Sequence, residues 1–76
     1  MRKSTAMKRF VENAERIRLE RGLSIQALAD EIGMVRPQLS RILSGVNSPT
    51  LETMERIAKG LKCDVREFLE ELAVPV

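Results

Sequence analysis

The sequence predicts an all-α domain of five short helices, and three observations carry that prediction. Apolar residues recur at spacings of three and four along almost the whole chain. Glycines and Ser/Asn/Pro/Thr clusters punctuate these segments at short intervals. No segment reads as a strand, an internal repeat or a low-complexity tract. The length of 76 residues sets a single domain over residues 1–76, with short flexible termini and a small core that needs economical packing.

Each helix has its own signals. Met7, Phe10, Val11, Ala14 and Ile17 fall on one face of the first, which Ser4 or Thr5 can cap and Gly22 can end. Ser24 is a good N-cap for the second, whose apolar stripe is Ala27, Leu28, Ala29 and Ile32, with Gly33 as its stop. The third begins near Arg36 or Pro37, because proline has no N–H to leave unpaired in a first turn. Leu39, Ile42 and Leu43 form its inner face, Gly45 ends it, and "GVNSPT" is loop chemistry. Thr50 caps the fourth, with Glu52 in the first turn and Met54, Ile57, Ala58 and Leu61 facing inward. Asp64 and Glu67 make a capping box for the fifth, with Phe68, Leu69 and Leu72 on its apolar side and "AVPV" as a tail.

Composition excludes several functions. There is no histidine and one cysteine, Cys63, so a Cys/His zinc site within one chain, an internal disulfide and a histidine-based triad are ruled out. Cys63 lies at an apolar position and reads as a buried thiol without a base. No glycine-rich phosphate loop is present, so the reading is non-enzymatic and without a cofactor. No apolar run spans a membrane, and the basic start lacks a secretory core; a reducing cytoplasm fits best. Two Phe without Trp or Tyr leave little for stacking on single-stranded nucleic acid. The net charge is +2 with a pI near 9.1, unevenly spread. Residues 1–21 carry seven Lys/Arg against three Glu, and residues 46–76 carry four against six Asp/Glu. The basic end suits a polyanion; the bland alternative is solvated helix faces.

The second and third segments are only about two or three turns each, too short to persist alone in water. They need each other, and the link between them is minimal. Gly33 permits a backbone that would strain other residues, and Ala29 lets the two helices approach closely. Leu28, Ile32, Met34, Leu39 and Ile42 then fill the space beneath, a helix-turn-helix arrangement over about residues 24–44.

Leu28, Ala29, Ile32, Gly33, Met34, Leu39 and Ile42, at these spacings, resemble the phage repressor and Cro-like (XRE-type) helix-turn-helix family. "RIRLERGLS" and "SGVNSPTLETMERIAKGLKCDVREFL" resemble its flanks, so the likeness runs from about Phe10 to Leu72. The resemblance implies a lambda-repressor-like fold that binds double-stranded DNA, with the third helix in the major groove and the second crossing the backbone. A helical wheel agrees: Arg36, Pro37, Ser40, Arg41 and Ser44 fall within about 140° of one another. Of these, Arg36, Pro37, Ser40 and Arg41 are the candidate base readers. Arginine can grip guanine O6 and N7, and the Pro37 ring can touch a thymine methyl. Ser24, Gln26, Gln38, Ser44, Asn47 and Ser48 are the candidate phosphate contacts. The alternatives are pairing of the two arginines with Asp30 or Glu31, and ordinary turn chemistry for Asn47 and Ser48. Three positions depart from the family pattern: Ile25 where glutamine is frequent, Val35 where a small polar cap is frequent, and Lys62 where glycine is common.

These readings point to a sequence-specific transcriptional regulator, a repressor, acting as a homodimer on an inverted-repeat operator. Phe68, Leu72 and Val74 are the candidate dimer contacts, unless they only cover the monomer's own core. The rival reading is a protein-interaction module of the same fold, such as an antitoxin or coactivator, for which the acidic last 31 residues leave room for a basic partner.

Overall fold

The computed structural model describes the backbone of residues 5–69 and the side chains of residues 6–68. Four α-helices follow one another: α1 (Thr5–Glu20), α2 (Ile25–Ile32), α3 (Arg36–Leu43) and α4 (Leu51–Leu61). A 3-10 helix, Val65–Leu69, stands where a fifth α-helix is expected. The local chemistry explains the tighter turn. Glu67 does reach back to the Asp64 N–H, at 3.0 Å, as a capping box requires. The Asp64 carboxylate, however, takes the Arg66 N–H at 2.8 Å, and the Glu67 N–H bonds the Asp64 carbonyl at 2.9 Å, closing an i to i+3 ring.

Every element gives one face to a single core. Phe10, Ala14 and Ile17 meet Leu28, Ala29, Met34, Leu39, Ile42, Leu43, Ile57, Ala58, Leu61 and Phe68. Met7 is buried with them, while Met54 and Cys63 are half-buried against its edge. Ala27, expected in the stripe of α2, is exposed. On a wheel of about 100° per residue it lies far from the centre of Leu28, Ala29 and Ile32. The rings of Phe10 and Phe68 meet edge to face, 5.2 Å apart at 81°. Beside them Asn13, fully buried, donates from Nδ2 to the Phe68 carbonyl at 2.9 Å. The 3-10 helix is thereby fastened over α1, and the burial of a polar side chain is compensated.

All four α-helices close with the same pair of backbone bonds. In α2, the Met34 N–H reaches the Ala29 carbonyl (2.9 Å) and the Gly33 N–H that of Asp30 (3.4 Å). In α4 the equivalent bonds are Cys63 to Ala58 (2.9 Å) and Lys62 to Lys59 (3.1 Å). The motif needs one residue at positive φ. Gly33 supplies it at 71°, but in α4 the residue is Lys62, at 58°. It is the one non-glycine residue at positive φ among those described. A side chain there costs about 1–2 kcal/mol. Lys62→Gly is therefore expected to raise stability by about 0.5–1 kcal/mol, after glycine's own entropy cost. In urea the midpoint should move up with the slope unchanged; a midpoint that falls would mean the lysine side chain contributes more than its backbone costs.

Candidate nucleic-acid interface

Ser24 begins the unit. Its Oγ accepts the Ala27 N–H at 3.0 Å and starts α2, leaving its own hydroxyl proton free to donate outward. Gly33 ends the helix nine residues later, and only Gly33, Met34 and Val35 separate it from α3. Two residues of α4 hold this turn in place. Arg56 donates from Nη2 to the carbonyls of Ile32 (2.5 Å) and Gly33 (3.4 Å), where α2 leaves them without helical partners. A Cβ added at Gly60 would lie 2.5 Å from Ile32 Cγ2 and 3.0 Å from Leu28 Cδ1. Only a glycine lets α4 press against α2 this closely. The sequence carried a signal for Gly60, since a glycine inside a helix costs about 1 kcal/mol against alanine and needs a reason. It carried none for Arg56, whose partners lie on another element. Arg56→Met is expected to cost about 0.5–1.5 kcal/mol in urea unfolding by leaving those carbonyls to water. An unchanged midpoint would reduce the contact to a surface one.

The face of α3 divides as the wheel predicts. Leu39, Ile42 and Leu43 are buried, and Arg36, Pro37, Gln38, Ser40, Arg41 and Ser44 are exposed. Among the described residues neither the Arg36 nor the Arg41 side chain has a hydrogen bond or ion pair. Asp30, one of their candidate partners, instead accepts from Gln26 Nε2 at 2.9 Å. That bond uses one of the two Gln26 amide protons. Gln38 and Ser40 also keep their side chains unengaged among the described residues. Ser44 differs: its Oγ donates to the Arg41 carbonyl at 3.1 Å, so its proton is already used within the helix. Asn47 and Ser48 are exposed on the turn that follows, where the Asn47 N–H bonds the Arg41 carbonyl at 3.3 Å.

The start of α3 has an unusual cap. Val35 is extended (φ −75°, ψ 142°), offers no side-chain bond, and is 65% exposed. The loss is small because little there needs capping. Pro37 has no N–H, and the N–H groups of Gln38 and Leu39 both turn to the Val35 carbonyl, at 3.1 and 3.2 Å.

Three arginines of the basic N-terminal stretch, Arg16, Arg18 and Arg21, are engaged within the chain. Arg18 grips both carboxylate oxygens of Glu15 (2.8 and 3.0 Å) and donates to the Leu23 carbonyl (2.6 Å). The bond to Glu15 pushes its pKa upward, against the effect of burial. Arg21 donates to the carbonyls of Leu61 and Lys62, capping the end of α4, and Arg16 pairs with Glu20 at 3.3 Å. At the opposite end Phe68, a candidate dimer contact, is fully buried and has no surface to offer a second chain. The other two, Leu72 and Val74, lie outside the described residues. Cys63 is half-buried, and burial chiefly, with Glu67 nearby, pushes its thiol pKa up, so it is held in the unreactive protonated form. No described helix is long and apolar enough to cross a membrane.

Comparison with known proteins follows the same lines. The profile of the family HTH_3, "Helix-turn-helix", matches residues 15–68. Among solved structures, an HTH_3 family transcriptional regulator from Vibrio cholerae is 32% identical, with a TM-score of 0.77 over 83% of this chain. The match spans 35% of that protein, so this chain corresponds to about a third of its length. A hypothetical transcription factor, NHTF, from Neisseria has a TM-score of 0.83 at 21% identity, over 88% of this chain and 77% of its own. At that identity the likeness is one of fold. No curated protein sequence matches the chain.

Proposed function

The chain belongs to the helix-turn-helix family HTH_3, the XRE-type DNA-binding domains of transcriptional regulators, and from that premise we propose how it acts. Two copies bind a duplex operator with two-fold symmetry and repress the promoter it overlaps. Each α3 lies in the major groove, with half-site centres about 34 Å apart. Arg36 and Arg41 read guanines, and Pro37 and Ser40 approach neighbouring base edges. Ser24, Gln26, Gln38, Asn47 and Ser48, with the first N–H groups of α2, take phosphates on either side. Ser44 joins them only by releasing its bond to the Arg41 carbonyl. The protein acts by occupying DNA, without catalysis.

The observation that carries this reading is the state of the two arginines. Both are exposed on the outer face of α3, and neither has an intramolecular partner among the described residues. Arg16, Arg18, Arg21, Arg56 and Arg66 are by contrast engaged with carboxylates or carbonyls. A guanidinium that has given up nothing inside the protein can spend its full donor set on a base. Pairing two copies doubles the few contacts one small domain can make.

The test is selection from a randomised duplex pool at two salt concentrations, with sequencing of the retained DNA. An inverted repeat, bound more weakly as salt rises, is the expected result. Retention without enrichment at either concentration would reject sequence-specific regulation and favour the protein-interaction reading.

A further inference from the structure

Four large apolar side chains are exposed among the described residues: Leu19, Val35, Val46 and Leu51. Val35 alone immediately precedes α3, next to Arg36 and one residue from exposed Pro37. The position is one where Ser, Thr, Asn or Asp stabilises a helix and valine does not. The helix start tolerates the valine because Pro37 removes one donor and the Val35 carbonyl takes two more. A β-branched, rigid, apolar side chain therefore stands in water at the leading end of α3 with no structural task there. Its neighbours Leu39 and Met34 go to the core; Val35 does not.

Resting on the DNA-binding reading above, we propose that Val35 is a specificity-determining residue that packs against the C5-methyl group of a pyrimidine in the major groove. The residues at the start of a recognition helix are those that meet base edges. The floor of that groove is polar apart from one apolar group, the 5-methyl of thymine. A valine that has no hydrogen bond to make discriminates through that methyl or not at all. The same geometry accepts 5-methylcytosine, whose methyl occupies the same place, so methylation of a cytosine at this step substitutes for thymine. Val35 adds to the base readers a residue whose contact depends on shape and methylation, not on donors and acceptors.

The test uses the sequence recovered by the selection above. Each thymine of one half-site is replaced in turn by deoxyuridine, which removes the methyl and leaves pairing unchanged. The wild-type chain and the Val35→Ala, Val35→Ser and Pro37→Ala variants are titrated against each duplex. One thymine is expected to lose about threefold to tenfold in affinity as deoxyuridine, an effect of the size that burying one methyl gives. The loss should vanish in Val35→Ala and Val35→Ser, and persist in Pro37→Ala. Val35→Ser should melt no lower than the wild type, since serine can cap Gln38, which separates lost recognition from lost folding. Indifference of the wild type to every deoxyuridine, or survival in both Val35→Ala and Val35→Ser of every penalty the wild type shows, overturns the assignment while leaving specific binding intact. Failure to recover any preferred sequence overturns the DNA-binding reading, and the assignment with it.

Discussion

Arg41→Ala is expected to weaken binding to the preferred operator by about 1–3 kcal/mol, roughly fivefold to more than a hundredfold. The loss should fall on one base pair. The bidentate bond to guanine O6 and N7 is what distinguishes that pair from the other three, so its removal should flatten preference there and leave the rest of the sequence read as before. Arg36→Ala should do the same at a different pair, because the two residues sit five apart, about 140° around α3. The magnitude follows from the free state of both side chains: no intramolecular partner among the described residues has to be given up on binding. Stability should barely change, since both are exposed. Affinity measured against the cognate duplex and against all single-base variants decides the matter. A uniform loss on every sequence, with a salt slope lower by about one, would make the residue a phosphate contact.

Phe68→Ala is expected to destabilise the domain by about 3–5 kcal/mol. Phe68 is fully buried, its ring lies against Phe10, and its carbonyl holds Asn13. Truncation removes the burial and the ring contact, and leaves a cavity bounded by helices that cannot collapse onto it freely. For a domain this small the loss approaches the whole stability its core supplies. A large fraction should be unfolded at room temperature by circular dichroism. The dependence on concentration is informative. A core role predicts the same loss at every protein concentration. A role only at a dimer contact predicts a folded variant monomer and a loss, relative to the wild type, that grows with protein concentration. Burial within one chain favours the first.

Helix starts were legible because they are local: Ser24 and Thr50 cap as their residue types require, and their bonds close within three residues. The division of α3 into a buried and an exposed face was equally legible, because period and polarity agree at every position from Arg36 to Ser44. The family likeness was carried by spacing, which a single chain displays in full. The segment after α4 was harder. Asp64, Glu67 and Phe68 suit a helix start, yet the Asp64 carboxylate had nearer donors in Arg66 and the turn tightened to 3-10.

Residue order alone decided that this chain makes short capped helices, where the tight turn falls, and which face of α3 is polar. These properties depend on neighbours within about one turn, and propensity, capping and period act over that range. The tertiary structure decided which cations remain available and which apolar groups remain exposed. Arg18 and Arg21 look as free in sequence as Arg36 and Arg41, but Leu23, Leu61 and Lys62 present carbonyls to them and nothing described presents one to the α3 pair. Phe68 reads as surface or core with equal ease until Phe10 closes against it. Such outcomes depend on groups far apart in sequence that meet only after packing, and the same side chain is an internal clamp or an open hand according to what packing brings beside it.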